Sequence, residues 1–484
     1  MPPPHQDEPE TTLALMRAHI DALPQNLTLP NPPTPISRTL SIRAPGSKSL
    51  TNRALLLAAL ARGDSILTNA LIDADDAQVM LAAIQSLGAK VRHNATTLNI
   101  TGVAGKWNIP STGTTLNLHN AGTATRFLAA SVLCNPKNTP LTIDGDPRMR
   151  ERPINELIEA LTAVGCTATF SHKPGYPPVT LTPPSTLPAN GLALTLPRTQ
   201  SGQFISAILL VAPFLPVPTT LRLTLPITSE SYVRMTLGLL SQLGAHVQTS
   251  ADLSIIRVTP GSLDHPDALP NAFTLDIEPD ASSATYFAAA AALLPGLTVR
   301  LEGLSDLSLQ GDAEFPKVLS RMGVAIAKDT NPNSEAIIVG SPDTSLQLSP
   351  ILADLSDMPD AAMTLAAVAA FASGTSIIRG LHTLRVKESD RIEALKAQFH
   401  KIGVEIKDNI QGDPGVITIT SPTSGVDCSP NCPPVTFDTY NDHRIAMSLA
   451  LIALRRPNIT INNPTCVRKT YPTYWQELAN LWPS

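Results

Sequence analysis

Six short polar clusters stand directly before apolar runs, and their residue types point to anion chemistry. They are Gly46-Ser47-Lys48-Ser49-Leu50-Thr51-Asn52-Arg53, Asn120-Ala121-Gly122-Thr123-Ala124-Thr125-Arg126, Thr199-Gln200-Ser201-Gly202-Gln203, Asp280-Ala281-Ser282-Ser283, Met358-Pro359-Asp360 and Tyr440-Asn441-Asp442-His443-Arg444. Ser, Thr, Asn and Asp start helices everywhere by accepting from free backbone N–H groups. Capping accounts for Asn120 and Ser282 but not for Lys48, Arg53, Arg126 or Arg444. A cation in the first helical turn opposes the partial positive charge of the helix start. A bound anion removes that conflict, and free N–H groups at the same helix start would hold it too.

Further cations fall in three loop-like stretches. Asp146 to Pro153 carries Arg148, Arg150 and Arg152, Leu384 to Arg391 carries Arg385, Lys387 and Arg391, and Cys466 to Pro472 carries Arg468 and Lys469. Taken alone, such a run is more often a solvated face. Beside the helix-start cations, these runs read as parts of one anion trap.

The elements that must position these residues recur along the chain. An amphipathic helix ending in Gly and leading to a strand is predicted at Val79–Gly88, Ile154–Gly165, Tyr232–Gly244, Ala313–Gly323 and Arg391–Gly403, the glycines falling 77, 79, 79 and 80 residues apart. Glycine just past a helix accepts the left-handed conformation of the cap. Alternating with these are six helices apolar nearly all round: Arg53–Ala61, Thr125–Leu133, Gly202–Ala212, Ser283–Leu294, Asp360–Ala372 and Asp442–Leu454. A helix apolar on every face is buried on every face. The repeating unit is therefore strand, buried helix, strand, amphipathic helix, strand, over roughly 75–80 residues. The sixth copy runs out at Tyr474–Leu481, and the chain begins with an orphan strand, Ser37–Ile42. The expected solution is circular, with that strand completing the last copy. It predicts a domain of residues 47–278, a second of 36–46 plus 279–484, and hinges near 47 and 278.

Composition narrows the function classes. A chain of 484 residues exceeds one ordinary core, which agrees with two domains. Apolar residues make up 43% and charged residues 15%, a globular composition. A net charge of −5 argues against a general nucleic-acid or anionic-membrane binder. Five scattered cysteines, Cys134, Cys166, Cys428, Cys432 and Cys466, read as reduced thiols. Cys428 and Cys432 lack a second Cys or His pair nearby, so no zinc site is expected. The start, Met-Pro-Pro-Pro-His-Gln-Asp-Glu, lacks the basic and apolar regions of a signal peptide. Leu13–Leu23 is a candidate amphipathic helix and Pro30–Pro35 a linker, and residues 1–35 are expected to be a flexible, dispensable extension. No apolar run is long enough to span a bilayer, and the expectation is a cytoplasmic monomer.

Six stretches then carry a specific resemblance. Gly46-Ser47-Lys48-Ser49, Asn120 to Arg126, Pro147-Arg148-Met149-Arg150-Glu151-Arg152-Pro153, Pro359-Asp360-Ala361-Ala362-Met363-Thr364, Arg385-Val386-Lys387-Glu388-Ser389-Asp390-Arg391 and Asn441-Asp442-His443-Arg444 resemble the signatures of the 5-enolpyruvylshikimate-3-phosphate synthases, in family order over roughly residues 37–482. The resemblance implies an α/β fold of two similar domains, each of three βαβαββ-type units forming an inside-out α/β barrel, with the active site in the interdomain cleft. It implies transfer of the enolpyruvyl group of phosphoenolpyruvate to the 5-hydroxyl of shikimate 3-phosphate, with loss of phosphate, on the route to chorismate and the aromatic amino acids. Neither metal nor organic cofactor is implied, and the partners are the two small-molecule substrates.

Residue by residue, the resemblance assigns Lys48, Ser49, Arg53, Ser201, Gly202, Gln203, Ser229, Asp360 and Lys387 to shikimate 3-phosphate. It assigns Lys48, Asn120, Gly122, Arg126, Arg152, Gln203, Arg391, Arg444 and Lys469 to phosphoenolpyruvate. The chemistry falls to Lys48, Asp360 and Glu388: Asp360 takes the proton of the 5-hydroxyl and Glu388 protonates the methylene carbon. Three positions depart from the family pattern: Thr383 stands where some members have Asn, Gly202 where many have a second Ser, and Phe127 where several have Pro. The sister transferase acting on UDP-N-acetylglucosamine is the nearest alternative, but its members commonly carry a Cys in the loop matching Asp144–Pro153, and this loop has none. RNA 3′-phosphate cyclase and a non-catalytic phospho-ligand binder are further alternatives. The acidic balance and missing His pattern weigh against the first, and Lys48, Asp360 and Glu388 together weigh against the second.

Overall fold

The structure is a computed structural model that describes residues 9–33, 37–94, 97–261, 268–329, 335–340 and 347–482. The chain divides into two compact units. One comprises Gly46–Glu278 with Leu309–Gly311, and the other the described residues up to Pro45, Pro279–Ser308 and those from Asp312 onward. The sequence reading assigns Leu309–Gly311 to the second domain. Their partners explain the difference: Leu309 N–H and Gln310 Nε2 donate to the Glu278 carboxylate at 3.1 and 3.0 Å.

In the first unit the helices Lys48–Leu60, Gly122–Ala130 and Gln203–Val211 pack on one another. Their Ala- and Leu-rich sequences leave no polar face after the first turn, and Ala54 to Ala61 are fully buried. Three four-stranded sheets surround them. Each sheet holds one parallel pair, as in Thr114–Asn117 with Leu141–Asp144, and two antiparallel strands complete it. Strands such as Leu192–Leu196 alternate buried and exposed residues, so one face covers the helices and the other meets solvent.

The second unit repeats this plan around Ala281–Leu293, Ala362–Ala369 and His443–Ala450. In both units the amphipathic helices stop where expected, and Gly88, Gly165, Gly244, Gly323 and Gly403 take φ values of 72° to 104°.

Circular closure differs from the expected form. Arg38–Ile42 does not complete the last repeat; it pairs in parallel with Leu297–Glu302, beside the fourth buried helix. In exchange, Thr274–Asp276 pairs in parallel with Asp64–Thr68, beside the first. Each strand just before a crossover at 45/46 or 278/279 thus serves the unit it is leaving. The last repeat, Val435–Phe437 with Ile459–Asn462, is completed by Asn26–Thr28 in antiparallel pairing.

That strand lies in the segment expected to be a flexible extension, so this expectation is corrected for the described residues 9–33. Pro9–Arg17 is an α-helix packed on Tyr474–Ala479, followed by a 3-10 turn at Ile20–Ala22 in place of one helix to Leu23. Met16, Ile20, Leu27 and Leu29 are buried in the second unit's core. Burial of four such side chains stabilises by several kcal/mol, at about 1.5–3 kcal/mol for each full burial, enough to order a short segment despite its prolines.

Candidate active site

Each unit carries its own cluster of the expected residues. In the first unit Lys48 opens the first buried helix, behind Ser47, whose hydroxyl accepts from Leu50 N–H at 3.4 Å. Lys48 Nζ lies 3.4 Å from Asp76 Oδ2. One and a half turns on, Arg53 is 2% exposed. Its Nε donates to Thr236 Oγ1 at 2.8 Å, Nη1 to Ser49 O at 2.8 Å, and Nη2 to Ser206 Oγ and Tyr232 O at 3.4 and 3.2 Å. All of these acceptors are neutral. Among the described residues no carboxylate comes within ion-pair distance, and burial pulls the Arg53 pKa down to about 10. The Phe127 ring centroid lies 5.3 Å from its Cζ, so this departure from the family pattern supplies a π face.

Arg152 ends the loop after the Leu141–Asp144 strand and donates from Nη1 to Asn120 Oδ1 at 3.1 Å. Its guanidinium lies so close over Gly122 that a Cβ there would fall 2.6 Å from Nη2, and a side chain at 122 would displace Arg152. Arg126 donates to Gly122 O at 3.2 Å and to Pro153 O at 2.9 Å, tying the helix start to the loop that carries Arg152. Gln203 Nε2 lies 3.3 Å from Thr123 Oγ1, and Ser201 Oγ accepts from Gln203 N–H at 3.2 Å. Ser229 stands in left-handed conformation (φ 51°) before the Glu230–Gln242 helix. A Cβ at residue 202 would meet Thr228 O at 2.7 Å, so Gly202 cannot become Ser without moving that backbone.

In the second unit Arg391 organises a buried charge cluster. It begins the Arg391–His400 helix and is 1% exposed. Nη1 donates to Asp360 Oδ1 at 2.8 Å, Nη2 to Glu388 Oε2 at 2.9 Å, and Nε to Asp442 Oδ2 at 2.9 Å. Lys387 Nζ and Arg444 Nη2 reach the two oxygens of Asp360 at 3.3 and 3.2 Å. Burial opposes the charge on Arg391, but Asp442, Glu388 and Asp360 outweigh it and hold its pKa above the ordinary arginine value. Lys469 closes a 3-10 turn, Pro464–Lys469, and is buried. The Thr383 hydroxyl is buried and makes no hydrogen bond among the described residues.

Within the first unit the fold thus joins Asn120, Gly122, Arg126 and Arg152 into one network, and Gln203 reaches the same helix start through Thr123. In the second it joins Asp360, Lys387, Glu388, Arg391 and Arg444.

Two further carboxylates belong to the second cluster without being among the expected site residues. Asp442 looks like a helix cap, and it does accept from Arg444 N–H at 3.0 Å, but it also grips Arg391 and the Ser389 hydroxyl. A carboxylate beside His and Arg was the available signal. Asp312, buried, feels Arg444, Asp360 and Asp280 and is near Ser282; burial pushes its carboxyl up to about 7. Nothing in Gly311-Asp312-Ala313 marks it in sequence.

Repeated α/β units with cations at the starts of several buried helices, and three carboxylates on one arginine, make a set of groups suited to an enzyme that handles oxyanion substrates. The family model of EPSP synthase (3-phosphoshikimate 1-carboxyvinyltransferase) matches residues 31–478. A 3-phosphoshikimate 1-carboxyvinyltransferase of Shewanella denitrificans is 38% identical over 442 residues, covering 91% of this chain and 96% of the relative. One of Photobacterium damsela subsp. piscicida is likewise 38% identical, with the same coverage. The solved EPSP synthase of Acinetobacter baumannii superposes with a TM-score of 0.72 at 26% identity, covering 93% of this chain and 97% of that one. The enolpyruvyl transferase NikO of Streptomyces tendae shares the fold at a TM-score of 0.68 and 18% identity. The chain belongs to the EPSP synthase family. Among the described residues no helix is long and apolar enough to cross a membrane, and no group of three metal-ligating side chains occurs.

Proposed function

We propose that the protein transfers the enolpyruvyl group of phosphoenolpyruvate to the 5-hydroxyl of shikimate 3-phosphate, releasing phosphate. The observation that supports the chemistry best is the Arg391 clamp, which holds Asp360 and Glu388 at 2.8 and 2.9 Å on one guanidinium. Shared fixation sets the relative position of two carboxylates that must act in one reaction. Asp360 takes the 5-hydroxyl proton while Glu388 delivers a proton to the methylene carbon. The hydroxyl oxygen bonds to the central carbon, giving a tetrahedral adduct with a new methyl group. The Glu388 carboxylate left by the first transfer then takes a methyl proton as the bond from the central carbon to the phosphate oxygen breaks, so phosphate departs and the double bond is restored. Lys48 and the arginines stabilise the charge on the leaving phosphate.

Ser49, Arg53, Ser201, Gly202, Gln203, Ser229 and Lys387 hold shikimate 3-phosphate in this reading, and Asn120, Gly122, Arg152, Arg391, Arg444 and Lys469 hold phosphoenolpyruvate. The carbonyl partners of Arg126 support a positioning role for it, behind Arg152. The protein acts as a cytoplasmic monomer in this reading, checked by light scattering of the purified chain and by fractionation.

Glu388→Gln tests the assignment. It is expected to slow single-turnover product formation by roughly two to four orders of magnitude, with shikimate 3-phosphate affinity by calorimetry little changed. Retention of more than about a tenth of wild-type turnover, far short of the loss expected for a positioned proton donor, would remove Glu388 from that role.

A further inference from the structure

We propose that the N-terminal segment Ile20–Thr28 positions Lys469 for phosphoenolpyruvate, an inference that rests on the role given to Lys469 above. Lys469 stands at the end of a short path: the strand Ile459–Asn462, then Asn463 in left-handed conformation (φ 49°), then the 3-10 turn Pro464–Lys469. The inner side of that turn is fixed within the C-terminal region. Val467 is buried, Tyr471 N–H donates to Val467 O at 2.8 Å, and Trp475 Nε1 donates to Pro464 O at 3.0 Å.

The outer side is fixed by the N-terminal segment. Asn26, Leu27 and Thr28 pair with Asn462, Ile461 and Thr460, and Leu29 N–H donates to Ile459 O at 2.8 Å. Gln25 O accepts from Asn463 N–H at 2.7 Å, at the residue where the strand turns toward Lys469. Asp21 pairs with Arg468, the neighbour of Lys469. Ala18 O accepts from Gln476 Nε2 at 3.1 Å.

This sheet has the fewest strands of the six among the described residues. The other five have four strands each among the described residues, and this one has three. Without Asn26–Thr28 only Val435–Phe437 and Ile459–Asn462 remain, and a two-stranded ribbon is marginal by itself. The loosened strand would be the one that leads to Lys469. A lysine ammonium is a point charge on a flexible four-carbon stem, so where it can reach depends on where its backbone is held. The family model begins its match at residue 31, so Asp21, Gln25 and Asn26–Thr28 lie outside it.

Steady-state kinetics of four variants with both substrates test the inference. Lys469→Ala is the reference and is expected to raise the KM for phosphoenolpyruvate at least tenfold. Deleting residues 2–28 should raise the same KM about tenfold, the cost of about 1.4 kcal/mol of binding, with the KM for shikimate 3-phosphate within twofold. Asp21→Lys avoids a deletion that fails to fold. It should raise the KM for phosphoenolpyruvate about threefold, a change typical of one surface ion pair turned repulsive, and the charge swap Asp21→Lys with Arg468→Asp should restore it. If Lys469→Ala leaves that KM unchanged, the reading of Lys469 fails. If Lys469→Ala raises it while Asp21→Lys does not, or if the swap restores nothing, the positioning role is overturned.

Discussion

Arg53 and Arg391 are both all but fully buried arginines near the start of a helix, yet their surroundings are opposite. Arg53 has only hydroxyl and carbonyl oxygens around it, and its pKa is pulled down to about 10. Arg391 is gripped by three carboxylates and held above the ordinary value. A buried charge without a counter-ion costs stability, and a buried charge in a complete network is costly only when the network is broken. The first arrangement leaves the charge without a counter-ion from the protein, which fits the proposed role of Arg53 toward the substrate phosphate. The second already holds protein carboxylates in place, whatever part Arg391 also takes in holding phosphoenolpyruvate. One residue type thus does two jobs, and the partners decide which.

The two arginines should therefore respond differently to removal. Arg391→Met leaves Asp360, Glu388 and Asp442 facing one another without their shared cation. It should destabilise the protein by about 3–5 kcal/mol, read as a fall in the urea midpoint, and abolish turnover. Arg53→Met should leave stability within about 1 kcal/mol of wild type or raise it, since an uncompensated buried charge is removed. Its shikimate 3-phosphate affinity should fall about 10- to 100-fold, the loss of one or two charged hydrogen bonds. A large stability loss in Arg53→Met would show that its neutral partners suffice and that no anion is awaited.

A smaller effect sharpens the picture of the second cluster. The Asp312 carboxyl is raised from the ordinary 3.8 to about 7, by burial first and then by Asp360 and Asp280, against the pull of Arg444. A raised acid keeps its proton in the folded state while the unfolded chain has released it. Asp312 therefore makes stability fall as pH rises from about 4 through about 7. Asp312→Asn should stabilise the protein at pH 8, by a few kcal/mol at most, and change little at pH 4.5. Equal shifts at both pH values would show that Asp312 does not titrate in this window.

Much of the fold is legible in sequence because it rests on local signals. Ala54 to Ala61 can only be buried, and Gly88, Gly165, Gly244, Gly323 and Gly403 mark helix ends wherever they stand. Strand partners are not local. Periodicity tells which face of Arg38–Ile42 is apolar, but not whether it pairs with the fourth repeat or the sixth. Asn26–Thr28 is only three residues long and is followed by prolines, so its pattern is too short to read; its partner, Ile459–Asn462, makes it a strand. The charged site residues are legible as types, whereas their division of labour is not. Asp442 and Arg126 look like a cap and a ligand, and only their contacts show that each also steers a neighbour.

In the proposed reaction the oxyanion-binding residues and the clamped carboxylates together serve enolpyruvyl transfer to shikimate 3-phosphate. The most direct test measures phosphate released from phosphoenolpyruvate by the purified protein, with shikimate 3-phosphate or UDP-N-acetylglucosamine as acceptor and no added metal. Phosphate should appear in proportion to shikimate 3-phosphate consumed, and not with the sugar nucleotide. Release with the sugar nucleotide alone, or with neither acceptor, would contradict the account.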